Sequence, residues 1–391
     1  MFSRILTPPR QSFFLMGPRG TGKSTWLRSH FPDAHVIDLL SEEKYQQLLA
    51  NPALFAAEVR ALKAPTWVVV DEIQRLPQLL NEVHRFLEEK RLRFVLCGSS
   101  ARKLRRAGVN LLAGRALHRA MHPFLPEEIG DGFDLDQALQ NGLLPVVWDS
   151  AHRADTLSAY AQCYLKEEIQ AEALVRNLPG FARFLPIAAL FHGQIINVST
   201  IARDAGVART TVSGYLDILE ETLLCFRLPA YEARLRVRER KHPKWYWCDP
   251  GLVRAMKRSF GPVVPEERGA LFEGLVAQAI RAYRDYRGIC DEIYYWAPSE
   301  GKTTEVDFLL KRGDRFVGVE AKTGVRFAES WCQGLRAASD LKGLTRRLIV
   351  YPRGPTLKTP DGIEVLPFHE FGKLLSTGAI WQSGRRLRAF R

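Results

Sequence analysis

The residues with the plainest chemistry lie in one run, Phe13–Trp26, which reads FFLMGPRGTGKSTW. The apolar stretch Phe13–Met16 stops at Gly17. Gly17-Pro18-Arg19-Gly20-Thr21-Gly22-Lys23-Ser24 then fits G-x-x-x-x-G-K-[ST] at every fixed position. Glycines let the backbone curl so that successive N–H groups point inward at phosphate oxygens. Lys23 brings a positive charge to the β- and γ-phosphates, and the Ser24 hydroxyl can ligate Mg²⁺. Thr25 and the residues after it open a helix whose N-terminal dipole also favours the anion. About fifty residues later comes Pro65–Glu72, PTWVVVDE. An apolar strand ending in Asp-Glu suits the same chemistry: Asp71 holds Mg²⁺, directly or through water, and Glu72 polarises the attacking water. Arg93–Cys97 reads as a further buried strand, closed by Gly98-Ser99-Ser100. A polar residue at that strand end can sense the γ-phosphate, and Ser99 and Ser100 are both candidates.

A second group of chemical residues lies near the C-terminus. Glu273 falls near the start of a helix that begins at Leu271. Val306–Leu310 and Phe316–Lys322 read as strands around a turn at Lys311–Asp314. Glu320 and Lys322 are two apart and share one face. With a loop of two or four residues, Asp307 lies opposite Gly318 on that same face. Two carboxylates at close range can hold Mg²⁺, Glu273 can complete the cage, and Lys322 can orient a water or stabilise a phosphorane.

The elements that must position these groups follow from pattern. His35–Leu39 is a short strand. Ser41–Leu62 is helical with Ser41 as N-cap, and Leu79–Glu89 is an amphipathic helix. Strands alternating with helices, with all phosphate chemistry at strand C-termini, imply an open parallel sheet. Gly130–Asn141 is polar and reads as a connection. Asp155–Glu172 and Phe181–Phe191 are helical.

Ile195–Leu228 then reads as a short segment, a helix Ser199–Asp204 capped by Ser199 or Thr200, a turn at Gly206, a helix Arg209–Glu220 and a strand. That is a helix-turn-helix with a wing. Either Arg209, Thr210, Thr211 and Ser213 face a DNA groove, or the unit is a scaffold. Arg234, Arg236, Arg238, Arg240, Lys241 and Lys244 precede Trp245-Tyr246-Trp247. This is either a basic, aromatic stripe for phosphate contact and base stacking, or an edge strand kept soluble by charge. Lys342–Tyr351 is a further strand and Pro367–Thr377 a further helix. The tail Ser383–Arg391 is basic.

Composition bounds the rest. The chain has 391 residues, 46% hydrophobic and 25% charged, with a net charge of +13 and a pI near 9.6. No apolar run approaches a membrane span, and MFSRILTPPR lacks a signal-peptide core, so a cytoplasmic protein without a membrane partner is expected. The six cysteines form no C-x-x-C pair and read as reduced, mostly buried thiols. The basic surplus points to an anionic partner, nucleic acid before a membrane surface.

G-P-R-x-x-G-K-[ST] at Gly17–Ser24, D-E-I-Q at Asp71–Gln74, G-S-S at Gly98–Ser100 and L-x-G-R at Leu112–Arg115 together resemble the AAA+ ATPases, specifically a prokaryotic family with a C-terminal domain of unknown function. The resemblance extends through Leu178–Tyr231 and HPKWYWCDPGLV. It implies ATP and Mg²⁺ as cofactors and a role for Arg115 in nucleotide response, as an arginine finger for a neighbouring subunit. A finger in trans requires a homo-oligomer such as a hexameric ring. Glu273, Asp307, Glu320 and Lys322 resemble the PD-(D/E)xK nuclease superfamily, whose members either cut or only bind DNA.

The expected fold is α/β: a P-loop AAA+ parallel-sheet ATPase domain over residues 1–130, a helical and winged-helix-like middle over 131–230, and a mixed α/β, restriction-endonuclease-like domain over 231–391. The expected function is an ATP-hydrolysing protein that binds and remodels DNA, with or without Mg²⁺-dependent cleavage. The rivals are a non-cutting DNA motor, such as a junction branch-migration ATPase, and an ATP-gated oligomeric switch that binds a protein partner.

Overall fold

The computed structural model describes residues 2–89, 92–100, 112, 114–171, 177–232, 242–298 and 304–382. The chain is a mixed α/β protein of two compact units. The first comprises residues 1–124, 144–146 and 216–224; the second comprises residues 125–143, 147–215 and 225–391.

The first unit is built on five strands: β1 (Phe13–Met16), β2 (His35–Asp38), β3 (Trp67–Asp71), β4 (Arg93–Gly98) and β5 (Leu117–Ala120). They run parallel in the order β2-β3-β4-β1-β5. β4 is therefore inserted between the strand that feeds the glycine loop and the strand that ends in Asp71. Phe14, Ile37, Val68, Val70, Phe94 and Leu96 bury one face against Phe55, Val59, Leu79, Leu80, Val83 and Phe86 from the helices. Each such side chain stabilises the unit by about 1.5–3 kcal/mol. Ser41 caps as expected, accepting from the Lys44 N–H at 3.4 Å. The expected single helix Ser41–Leu62 is instead two, Glu42–Ala50 and Ala53–Arg60. Pro52 explains the break, because it disfavours helical backbone at Asn51 and cannot donate an N–H.

The second unit holds two sheets. β6 (Gln194–Ile195), β7 (Cys225–Leu228) and β8 (Lys244–Trp247) form an antiparallel sheet in the order β6-β8-β7. β9 (Glu292–Trp296), β10 (Val306–Arg312), β11 (Arg315–Ala321), β12 (Leu344–Tyr351), β13 (Leu357–Lys358) and β14 (Glu364–Pro367) form a mixed sheet in the order β13-β14-β12-β11-β10-β9. The segment read as a connection, Gly130–Asn141, contains a helix, Leu135–Asn141, because Asp134 caps it by accepting the Gln137 N–H at 2.7 Å.

The two short helices around Gly206 are present as Val198–Ala205 and Arg209–Glu221, and Gly206 takes the left-handed conformation at φ 64°. Asn197, not Ser199 or Thr200, is the cap, accepting from both of their N–H groups at 3.1 Å. The helix carrying Glu273 runs Pro265–Arg287, so Glu273 lies inside it and not near its start. Pro265 at the first helical position, with Glu266 and Glu267 behind it, is a start signal that outweighs the one read at Leu271.

Candidate functional sites

The first candidate site lies at the C-terminal ends of β1, β3 and β4, within the first unit. The loop after β1 needs its glycines for stated reasons. Gly20 and Gly22 hold φ 77° and 84°, and a Cβ on Gly17 would sit 2.3 Å from the Met121 carbonyl oxygen. Lys23 is buried, and its Nζ donates to the Gly17 carbonyl at 2.7 Å and the Pro18 carbonyl at 3.0 Å. Thr21 Oγ1 donates to the same Pro18 carbonyl at 2.7 Å. Arg4 donates to the Thr21 carbonyl at 3.0 Å and the His122 carbonyl at 2.6 Å, tying the loop to the end of β5. Arg19 and Thr25 are exposed.

Across the loop, Ser24 Oγ donates to Asp71 Oδ2 at 2.8 Å. A hydroxyl and a carboxylate in contact beside a phosphate-cradling loop are the donor set for Mg²⁺ bound with a nucleotide. Asp71 Oδ1 accepts the Glu72 N–H at 3.0 Å, which supports an unusual backbone: Glu72 has φ 56°. A non-glycine residue in that region carries strain of about 1–3 kcal/mol. The Glu72 carboxylate accepts from Gln74 Nε2 and, at 3.3 Å, from Ser99 Oγ; Gln74 also donates to Ser99 at 3.2 Å. Ser99 is thus the serine bonded to Glu72, and Ser100 is fully buried beside it. By residue type alone, Gln74 is only the last position of D-E-I-Q. Its buried side chain lies so close to β4 that a Cβ on Gly98 would meet its Oε1 at 2.3 Å. Arg115 forms an ion pair with Glu88 of its own chain, and both side chains are about half exposed. Ala113 of the L-x-G-R run lies outside the described residues.

The second candidate site lies within the second unit, where β10, β11, β8 and the Pro265–Arg287 helix meet. The β10–β11 hairpin turns on two residues, Gly313 and Asp314, since Arg312 pairs with Arg315 and Leu309 with Gly318. Asp307 therefore falls at the level of Glu320, not Gly318. The shift is two residues, so the face is unchanged and the predicted cluster forms. The Asp307 N–H donates to Glu320 Oε2 at 3.3 Å, and Asp307 Oδ2 accepts the Ala321 N–H at 2.8 Å. Lys322 Nζ donates to Glu320 Oε1 at 2.6 Å. Against β9, β10 changes register between Val306 and Leu309, and such irregularities re-aim side chains beside sites. Gly274, next to Glu273, lets the helix approach: a Cβ there would lie 2.0 Å from His192 Nε2. Replacing Gly274 would lift Glu273 off the cluster.

The unexpected member is Lys244. Read from sequence, it belongs either to a basic stripe for phosphates, with Trp245, Tyr246 and Trp247 as stacking surfaces, or to an edge strand kept soluble by charge. The structure overturns both for Lys244–Trp247, since β8 lies between β6 and β7. Lys244 is 2% exposed and the three aromatics are fully buried as β8. The rest of that stripe, Arg234–Lys241, lies outside the described residues, as does the tail Ser383–Arg391. Lys244 Nζ stands 3.2 Å from Glu273 Oε1, 3.1 Å from Glu305 Oε1 and 3.5 Å from Asp307 Oδ1. Tyr246 donates its hydroxyl to Glu273 Oε1 at 2.5 Å. Glu305 was not singled out from sequence, and no motif marks it.

Burial disfavours the Lys244 ammonium, but Glu273, Tyr246, Asp307 and Glu305 outweigh it and hold its pKa well above the ordinary lysine value. Burial and then Asp307 push Glu273 up to about 7 and Glu320 up to about 8. Two like unit charges about 4 Å apart at an effective dielectric near 20 repel by about 4 kcal/mol, and a divalent ion doubles that. Glu273 and Asp307 thus meet around the Lys244 ammonium, and Glu320 is held by Lys322, so the three carboxylates do not surround an open position and do not fit a Mg²⁺ ion. Among the described residues, no group of three or more His, Cys, Asp or Glu is placed to hold a metal ion.

Comparison with known proteins divides the chain in three. Residues 9–130 match the model described as an AAA domain. Residues 132–262 and 268–371 match two domains of unknown function, DUF8612 and DUF4143. Uncharacterized proteins of Mycobacterium tuberculosis (Rv2008c) and Mycobacterium bovis (Mb2031c) are each 26% identical over 375 residues, covering 94% of this chain and 81% of theirs. Among solved structures, the Aeropyrum pernix ORC1 protein in complex with DNA aligns at TM-score 0.24 and 15% identity, covering 64% of this chain and 87% of that one. Protein VC1899 from Vibrio cholerae aligns at TM-score 0.25 and 13% identity, covering 95% and 98%. No described helix is long and apolar enough to cross a membrane.

Proposed function

We propose that this chain hydrolyses ATP with Mg²⁺ and couples that turnover to binding and remodelling DNA as a homo-oligomer. The observation that carries the ATPase reading is the Ser24–Asp71 contact at 2.8 Å beside a buried Lys23, with Glu72 next in the chain. Lys23 would exchange its two loop carbonyls for β- and γ-phosphate oxygens. Ser24 and Asp71 would hold Mg²⁺, which when bound neutralises charge on those phosphates. Glu72 takes the role of orienting the attacking water and accepting its proton, with Ser99 and Gln74 holding its carboxylate until then.

DNA as the partner is supported by the net charge of +13 and by the helix Arg209–Glu221, where Arg209, Thr210 and Ser213 are exposed while Val212 and Tyr215 are buried. Steady-state ATP hydrolysis should be compared without DNA and with single strands, duplex and a four-way junction at fixed low salt, because phosphate contacts are salt-sensitive. Stimulation on the order of ten-fold by one of these is expected, a shift of about 1.4 kcal/mol in barrier. Equal turnover in all four would favour an ATP-gated switch acting on a protein partner.

Arg115 is assigned to the nucleotide of a neighbouring subunit, which requires it to leave Glu88. Both side chains of that pair are about half exposed, and such surface pairs contribute about 0–1 kcal/mol, so release costs little. Arg115→Ala and Glu72→Gln chains should each be nearly inactive alone and regain turnover when mixed. Full activity of Arg115→Ala by itself would leave the Glu88 ion pair as its whole role.

A further inference from the structure

We infer that Lys244 is the resident cation of the carboxylate pocket: its ammonium stands among Glu273, Asp307 and Glu305 and so occupies two of the three carboxylates that a divalent metal would need, and this domain does not take Mg²⁺ for phosphodiester hydrolysis. The inference concerns the second unit alone and does not rest on ATP turnover.

Five of the six carboxylate oxygens of Glu273, Asp307 and Glu320 are already engaged. Glu273 Oε1 accepts from Lys244 and Tyr246, Asp307 Oδ2 from the Ala321 N–H, and Glu320 from Lys322 and the Asp307 N–H. Asp307 Oδ1 faces Lys244 at 3.5 Å. Mg²⁺ demands near-octahedral oxygen ligands at about 2.0–2.1 Å and gives up its water reluctantly. To enter, it would have to displace an ammonium whose side chain is 3% exposed. Lys244 cannot swing aside without cost, because its Cα is fixed at the start of β8 and its ammonium would forfeit all three carboxylate partners. Its backbone pairs with Ile195 on one side and Leu228 on the other, and Trp245, Tyr246 and Trp247 anchor the strand in the core. Geometry that in sequence reads as a metal cage is therefore an internal salt-bridge cluster. Lys322, bound to Glu320 and a third exposed, is left at the rim.

The corollary is that the metal site is latent and appears when the ammonium is removed. The test uses the full chain carrying Ser24→Ala and Asp71→Asn, which strips the Mg²⁺ ligands of the nucleotide loop. Mn²⁺ is titrated without nucleotide, and free Mn²⁺ is read by electron paramagnetic resonance. This background should bind Mn²⁺ no tighter than about 1 mM, the weak end of carboxylate sites. Adding Lys244→Ala should tighten binding at least about ten-fold to one ion per chain, and further adding Asp307→Asn should abolish it. Lys244→Met keeps the stem volume and repeats the experiment if the alanine chain fails to fold. The unmutated protein, incubated with DNA and Mg²⁺ or Mn²⁺, should leave the strands intact. Three results would each overturn the inference: sub-millimolar Mn²⁺ binding by the background that Asp307→Asn removes, folded Lys244 variants that bind no tighter, or metal-dependent cleavage that Asp307→Ala abolishes.

Discussion

Lys23→Ala should lower ATP turnover by at least about 10²-fold, the loss typical of removing one preorganised electrostatic donor. The Lys23 ammonium is held between the Gly17 and Pro18 carbonyls, which also shape the loop. Alanine removes both the charge that meets the phosphates and the donor that those carbonyls share. Binding and turnover should therefore fall together. Glu72→Gln should behave differently. The amide keeps the size of the side chain and can still meet Ser99, but it cannot accept a proton from water. Binding of a fluorescent ATP analogue should stay within a few-fold of the parent while phosphate release falls by about 10²–10⁴-fold, the span of general-base contributions. Parallel measurements of analogue binding and phosphate release separate the two effects. Unchanged turnover in Lys23→Ala would remove the nucleotide assignment altogether.

The nucleotide loop was legible because its chemistry is local. Four of its eight motif positions, Gly17, Gly22, Lys23 and Ser24, have a backbone, charge or ligand requirement that shows in residue type, and the strand ending in Asp71-Glu72 is short and uninterrupted. The bonds among Glu72, Gln74 and Ser99 were not legible. They depend on β4 lying beside β3, an order set by tertiary packing. The C-terminal cluster was legible by face but not by register. Period-two alternation placed Asp307, Glu320 and Lys322 on one side, and the two-residue turn at Gly313-Asp314 then set which of them meet. Lys244 was misread for a physical reason. A lysine after a run of arginines has the pattern of a solvated stripe, and nothing local reveals that Glu273, Glu305 and Asp307, 29 to 63 residues away in the chain, converge on it. Buried charge is decided by partners distant in sequence, so composition cannot distinguish it from exposed charge.

That cluster also governs how the stability of the second unit depends on pH. Lys244→Met should destabilise it by about 3–5 kcal/mol at neutral pH, the cost of leaving buried carboxylates without their counter-ion. Glu320→Gln should do the opposite at alkaline pH. Burial and Asp307 raise the Glu320 carboxyl from its ordinary 4.5 to about 8, and Glu273 rises to about 7. Between those limits the folded state binds more protons than the unfolded state, so stability falls as pH rises from about 4.5 to about 8 and then levels. Lys244 adds nothing to this slope, because its pKa lies above 10.5 and its contribution is lost only beyond that. Urea unfolding followed by a probe in the second unit, run from pH 5 to pH 9, should show the decline in the parent. The slope should be shallower in Glu320→Gln, whose amide has no proton to lose, and Lys322 forfeits a partner there at small cost because it is a third exposed. A parent profile that is flat or rises through this range would mean that Glu273 and Glu320 are ionised throughout, and that Lys244 and Lys322 compensate them fully.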